Sequence, residues 1–156
     1  MKFKYLNTSK KLQFYAIEEA SFDEITLYGD SVPAGFPSPA DDYLDMDLNL
    51  HDYLVQHPSA TFCVRAIGDS MVDAGIQSSD VMVIDRALTP KNNDIILAVV
   101  NGEFTVKRIK KSEDELYLMP ANENYKPMKI TEEMNFQVWG VVNFIIHKAN
   151  ASTSGL

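Results

Sequence analysis

The chain has 156 residues, a net charge of −8 and a single cysteine, Cys63. That length suits one domain burying roughly two thirds of its unfolded surface; one cysteine excludes an intramolecular disulfide, and without an apolar leader at the N-terminus a reducing, cytoplasmic setting is expected. Acidity disfavours direct DNA binding, because phosphate contacts need clustered Lys and Arg, and the runs IILAVV and VWGVVNFII fall well short of the roughly 18 residues of a membrane span.

Residues 1 to 34 mix short apolar patches with basic and then acidic clusters. They keep neither a helical nor a strand period, which predicts an extended N-terminal arm. GFPSPADDY follows, and its small residues and prolines predict exposed, extended backbone of the kind a protease cleft accepts. DLNLHDYLVQHPSA predicts a short helix or turn ended by Pro58. From Thr61 the pattern changes to closely spaced strands: TFCVRAI, DVMVIDR, DIILAVV, EFTVKRI, ELYLM and FQVWGVVNFIIHK, rich in Val, Ile, Phe and Tyr and punctuated by Gly, Asp, Asn or Pro. Such spacing predicts a mostly β fold, with strongly curved antiparallel sheets or a partial barrel. Asn101-Gly102 predicts a two-residue type I′ hairpin turn, and Cys63 reads as a buried strand residue. Only NASTSGL at the C-terminus has a disordered composition.

The stretch AIGDSMVDAGI places Ser70 between flanking glycines, which alone is a turn as readily as a nucleophile's setting. A serine hydroxyl needs a base to take its proton. The histidines, His51, His57 and His147, lie in no recognisable triad context and lack metal-ligand spacing, so neither a metal nor a cofactor is expected. Lysine is the other base, provided it is neutral. In EFTVKRI, alternation puts Lys107 on one strand face with Thr105 and Ile109, opposite Phe104, Val106 and Arg108. Lowering a lysine from ~10.4 to about 7 or 8 takes roughly 3 to 5 kcal/mol of lost ammonium hydration. A largely buried position supplies that.

AIGDSMVDAGIQSSDVMVID resembles the serine segment of the LexA/UmuD self-cleaving proteins, the S24 peptidase family, and NGEFTVKRI resembles their lysine segment. LMPANENYKPM and VWGVVNFIIHK are similar to two further family stretches, and GFPSPADDYLDMDLNLHDYLVQHPSATF favours the UmuD branch over LexA. The likeness runs from about Gly35 to Lys148. It implies the LexA C-terminal, signal-peptidase-like fold, with Ser70 as nucleophile, Lys107 as general base and the backbone N–H groups of Ser70 and Met71 as oxyanion donors. Gly68 and Gly75 would let the serine segment turn sharply.

By the same resemblance the Ala34-Gly35 bond is the self-cleavage site. This divides the chain into a cleavable arm (1–34), a peptidase and dimerisation domain (35–150) and a tail (151–156). Ala34 departs from the Cys of the UmuD pattern without altering the chemistry, and the arm is longer than that branch's. The 35 residues from Gly35 to Ser70 reach more than roughly 100 Å, so length permits cleavage in cis. The implied partners are a second copy of the chain, a RecA filament on single-stranded DNA that stimulates cleavage, and a UmuC-like Y-family polymerase that takes up the cut dimer in the SOS response. The alternative is a LexA-type transcriptional regulator inactivated by the same cut. A 34-residue near-neutral arm is short for a three-helix DNA-binding domain.

Overall fold

The computed structural model describes residues 2–8, 12–18, 25–28 and 45–149, with side chains of 12–17 and 48–149. The expected scissile pair Ala34 and Gly35, the GFPSPADDY segment and the tail at 151–156 lie outside the described residues.

The elements are β1 (Lys2–Thr8), β2 (Leu12–Glu18), β3 (Ile25–Tyr28), β4 (Asp45–Leu48), α1 (Leu50–Leu54), β5 (Thr61–Ala66), β6 (Val81–Asp85), β7 (Ile95–Val100), β8 (Glu103–Lys111), β9 (Leu116–Met119), β10 (Met128–Ile130) and β11 (Phe136–Ile146). Nine strands form one sheet in the order β1-β2-β5-β6-β11-β7-β8-β9-β10, and β3 and β4 pair separately. Every described pairing is antiparallel. The sheet is open, with β1 and β10 at its edges.

All six strands predicted from Thr61 onward form, and the helix after Leu48 is real though short. Asn49 caps α1 by accepting from the N–H groups of His51 and Asp52 at 3.0 and 3.3 Å. Asn101 and Gly102 take φ of 51° and 83°, the left-handed pair that a type I′ turn requires, and Val100 faces Glu103 across it.

Within the segment expected to be an extended arm, residues 2–8 and 12–18 form strands. They make the β1–β2 hairpin, and β2 pairs with β5 from Leu12↔Ala66 to Ala16↔Phe62.

Apolar side chains collect in two clusters. Leu12, Val64, Met71, Met82, Ile84, Leu97 and Val106 belong to one, and Ile96, Ala98, Val100, Ile109, Leu118 and Val141 to the other. Alternate residues of β7 divide between them, so this strand is apolar on both faces and reads as a continuous run. The serine loop leaves the sheet beside the first cluster.

Candidate active site

Ser70 lies in the loop between β5 and β6. Gly68 and Gly75 hold φ of +102° and +79°, a left-handed backbone that glycine adopts without the steric cost a Cβ brings. Between them a 3-10 turn spans Val72–Ala74. Met71 and Ile76, each 3% exposed, pin the loop into the first apolar cluster, and the N–H of Ile76 donates to the carbonyl of Met71 at 3.2 Å. Ser70 itself is half-buried at the cleft.

Lys107 stands on β8, paired with Ile96 of β7. Its Nζ lies 3.1 Å from Ser70 Oγ, 2.9 Å from Thr105 Oγ1 and 2.9 Å from the Val106 carbonyl oxygen. The bond to Thr105 agrees with the predicted shared face. Reaching the carbonyl of its own neighbour, the lysine side chain folds back along the strand, so Phe104, Thr105, Val106 and Lys107 all border the same cleft. That cleft, about 360 Å³, is walled by apolar side chains including Leu12, Met71, Met82, Phe104 and Val106. Among the described residues, no acceptor takes the N–H of Ser70 or of Met71.

A third segment braces the serine loop, a role the sequence did not reveal. The N–H of Ala121 donates to the Ser70 carbonyl at 2.9 Å and the N–H of Asp73 donates to the Ala121 carbonyl at 2.8 Å. Asn122 Nδ2 donates to the Asp69 carbonyl at 2.9 Å, and the Tyr125 hydroxyl donates to Asp69 Oδ1 at 2.6 Å. Asn122 Oδ1 accepts from the N–H of Asn124, which shapes the same loop. The hydrogen bond to Asp69, followed by the charge of that carboxylate, raises the Tyr125 phenol above its ordinary value. These residues come from LMPANENYKPM, where Asn and Pro signal only a turn.

The other nucleophile and base candidates stand apart. Cys63 is wholly buried in β5, and burial pushes its thiol up to about 12. His57 Nδ1 lies 2.6 Å from Oδ2 of the fully buried Asp85, and His147 Nδ1 lies 2.7 Å from Oδ1 of the buried Asp80. Neither ring borders the cleft. No helix among the described residues is long and apolar enough to cross a membrane.

Curated relatives align with most of the chain. Protein SamA of Salmonella typhimurium is 46% identical over 81% of this chain and 87% of its own length. Protein ImpA of Escherichia coli is 42% identical over 78% of this chain and 83% of its own. Protein MucA of Escherichia coli is 43% identical over 76% and 81%. The Peptidase S24-like profile matches residues 26–143, which takes in the serine loop, the lysine strand and the loop that braces them. The chain therefore belongs to the Peptidase S24-like family.

Proposed function

We propose that the protein is a serine endopeptidase that hydrolyses its own Ala34-Gly35 bond, with Ser70 as nucleophile and Lys107 as general base. The observation that carries this is the 3.1 Å separation of Lys107 Nζ and Ser70 Oγ at an apolar-walled cleft. A neutral amine has two N–H bonds and a lone pair. Val106 O and Thr105 Oγ1, each 2.9 Å from Nζ, hold the amine beside the Ser70 hydroxyl, to which a neutral Nζ presents its lone pair.

Ser70 Oγ then attacks the Ala34 carbonyl carbon as its proton passes to Nζ. The oxyanion accepts from the N–H groups of Ser70 and Met71. Collapse breaks the C–N bond, and the Lys107 ammonium gives its proton to the departing Gly35 amine. The acyl ester left on Ser70 is hydrolysed by water, activated by the same amine. Small residues on both sides of the bond suit a backbone that must lie close to Ser70.

The resemblance to the UmuD branch extends the proposal to the protein's purpose. The chain is a cytoplasmic homodimer whose cutting is stimulated by RecA on single-stranded DNA, and the shortened form is a regulatory subunit of an error-prone Y-family polymerase. A ligand shifts such an equilibrium only by its differential affinity, about 1.4 kcal/mol for each tenfold.

Incubation at alkaline pH raises the neutral fraction of any lysine and should yield two fragments split after Ala34. Ser70→Ala or Lys107→Ala should reduce the rate at least about a hundredfold; cutting that persists in both variants removes the dyad. Mass spectrometry before and after addition of RecA, an ATP analogue and single-stranded DNA tests the trigger. A pull-down with the fragment beginning at Gly35 tests the polymerase.

A further inference from the structure

Cutting at Ala34-Gly35 would divide the chain between strands that pair with one another. β2 precedes the bond and β5 follows it; they pair from Leu12↔Ala66 to Ala16↔Phe62. β3 and β4 also fall on opposite sides of the bond and pair from Ile25↔Leu48 to Tyr28↔Asp45. β2 is built into the core. Leu12 is 4% exposed within the cluster that holds Val64 and Met71. The Phe14 ring meets Phe104 edge-on at 4.8 Å and stacks on Phe62 at 6.3 Å. On the other face the Arg65 guanidinium lies 5.7 Å from the Tyr15 ring centre. Leu12 also borders the cleft that contains Ser70.

We infer that self-cleavage nicks the protein without releasing residues 1–34: the β5 edge is a strand-binding slot, and β2 stays seated in it after the bond is cut. The inference rests on the Ala34-Gly35 reading for the place of the cut. Hydrolysis adds one water, giving a carboxylate on Ala34 and an amine on Gly35. It removes the covalent tether and its effective concentration but no described strand pairing or buried side chain.

The full chain is incubated until denaturing mass spectrometry shows scission after Ala34, then examined by size exclusion and native mass spectrometry. The expected native species weighs one water more than each uncut chain, with both fragments eluting together. Residues 1–34 eluting free would overturn the inference. In parallel, a chain bearing Ser70→Ala and a foreign endoprotease site in place of residues 31–34 is nicked by that enzyme and examined in the same way. Retention is thereby read even if the unmodified chain never cuts itself, an outcome that counts against the Ala34-Gly35 reading alone. Leu12→Asp with Phe14→Asp in this nicked chain should weaken retention at least about a hundredfold, since two large apolar side chains lose their burial. Undiminished retention there would also overturn the inference, and far-ultraviolet circular dichroism checks that the variant remains folded.

Discussion

At Asp69 the backbone carbonyl accepts from Asn122 and the carboxylate from Tyr125, so the residue beside Ser70 is held by the loop that follows β9. Tyr125→Phe deletes one of these bonds and should slow self-cleavage several-fold while the chain stays folded, read as fragment yield over time. The pH profile separates this role from a merely structural one. The Tyr125 phenol is raised by Asp69, so its bond is intact below the free phenol's value of about 10 and is lost as pH climbs through the higher folded value. Self-cleavage should therefore rise with pH as lysine deprotonates and turn down at the alkaline end, and the downturn should be absent in Tyr125→Phe. Cys63 gives a second prediction at this scale. A thiol raised to about 12 by complete burial should resist iodoacetamide at pH 8 and react once denaturant opens the sheet, as mass spectrometry will show. Ser70 and Lys107 are singled out only because two separate stretches resemble one family. Their own neighbours in sequence, a Gly-Asp-Ser turn and a lysine beside an arginine, carry no such information.

Among the elements, legibility followed how each strand is covered. β5 to β9 and β11 were predicted because their Val- and Ile-rich runs are bounded by turn residues, and Asn101-Gly102 marks its hairpin unaided. β2 was missed for a physical reason. Leu12 and Phe14 face the apolar cluster while Tyr15 and Ile17, on the other face, pack toward Arg65 and toward Val55 and Pro58. Both faces are covered by apolar or aromatic residues, which erases the alternation that would have revealed a strand. β1 carries a register shift between Tyr5 and Asn7 that interrupts its period, and β10, at three residues, is too short to show one. β11 supplies the test at this scale. A Cβ on Gly140 would stand 2.6 Å from Ile84 Cγ2 and 3.1 Å from the Asp85 carbonyl oxygen. Gly140 also adjoins a register shift against β7. Gly140→Ala should therefore destabilise the fold by roughly 1–3 kcal/mol through overpacking, seen as a lower urea midpoint with little change in slope.

Across the whole molecule, the strand order makes the site depend on the end of the chain. β11 lies between β6 and β7. Ser70 follows β5 and leads into β6 on one side of it, while Lys107 is carried by β8 on the other. Among the described strands, β11 is the one that joins these halves: it pairs with β6 from Val141↔Asp85 and with β7 from Phe136↔Val100. The 3.1 Å contact between Ser70 and Lys107 should therefore form only after residues 136–146 have entered the middle of the sheet. A long-range insertion of this kind comes late, because loop closure is entropically costly before the paired strands reward it. Growing chains should thus be safe from cutting themselves. Ribosome-arrested chains that have exposed residues up to Asn135 should remain uncut at alkaline pH, whereas chains arrested after Ile146 has emerged should cut at the rate of the released protein. Cutting in the shorter set would mean that the two halves assemble the site without their central strand, and the dependence on β11 would have to be abandoned.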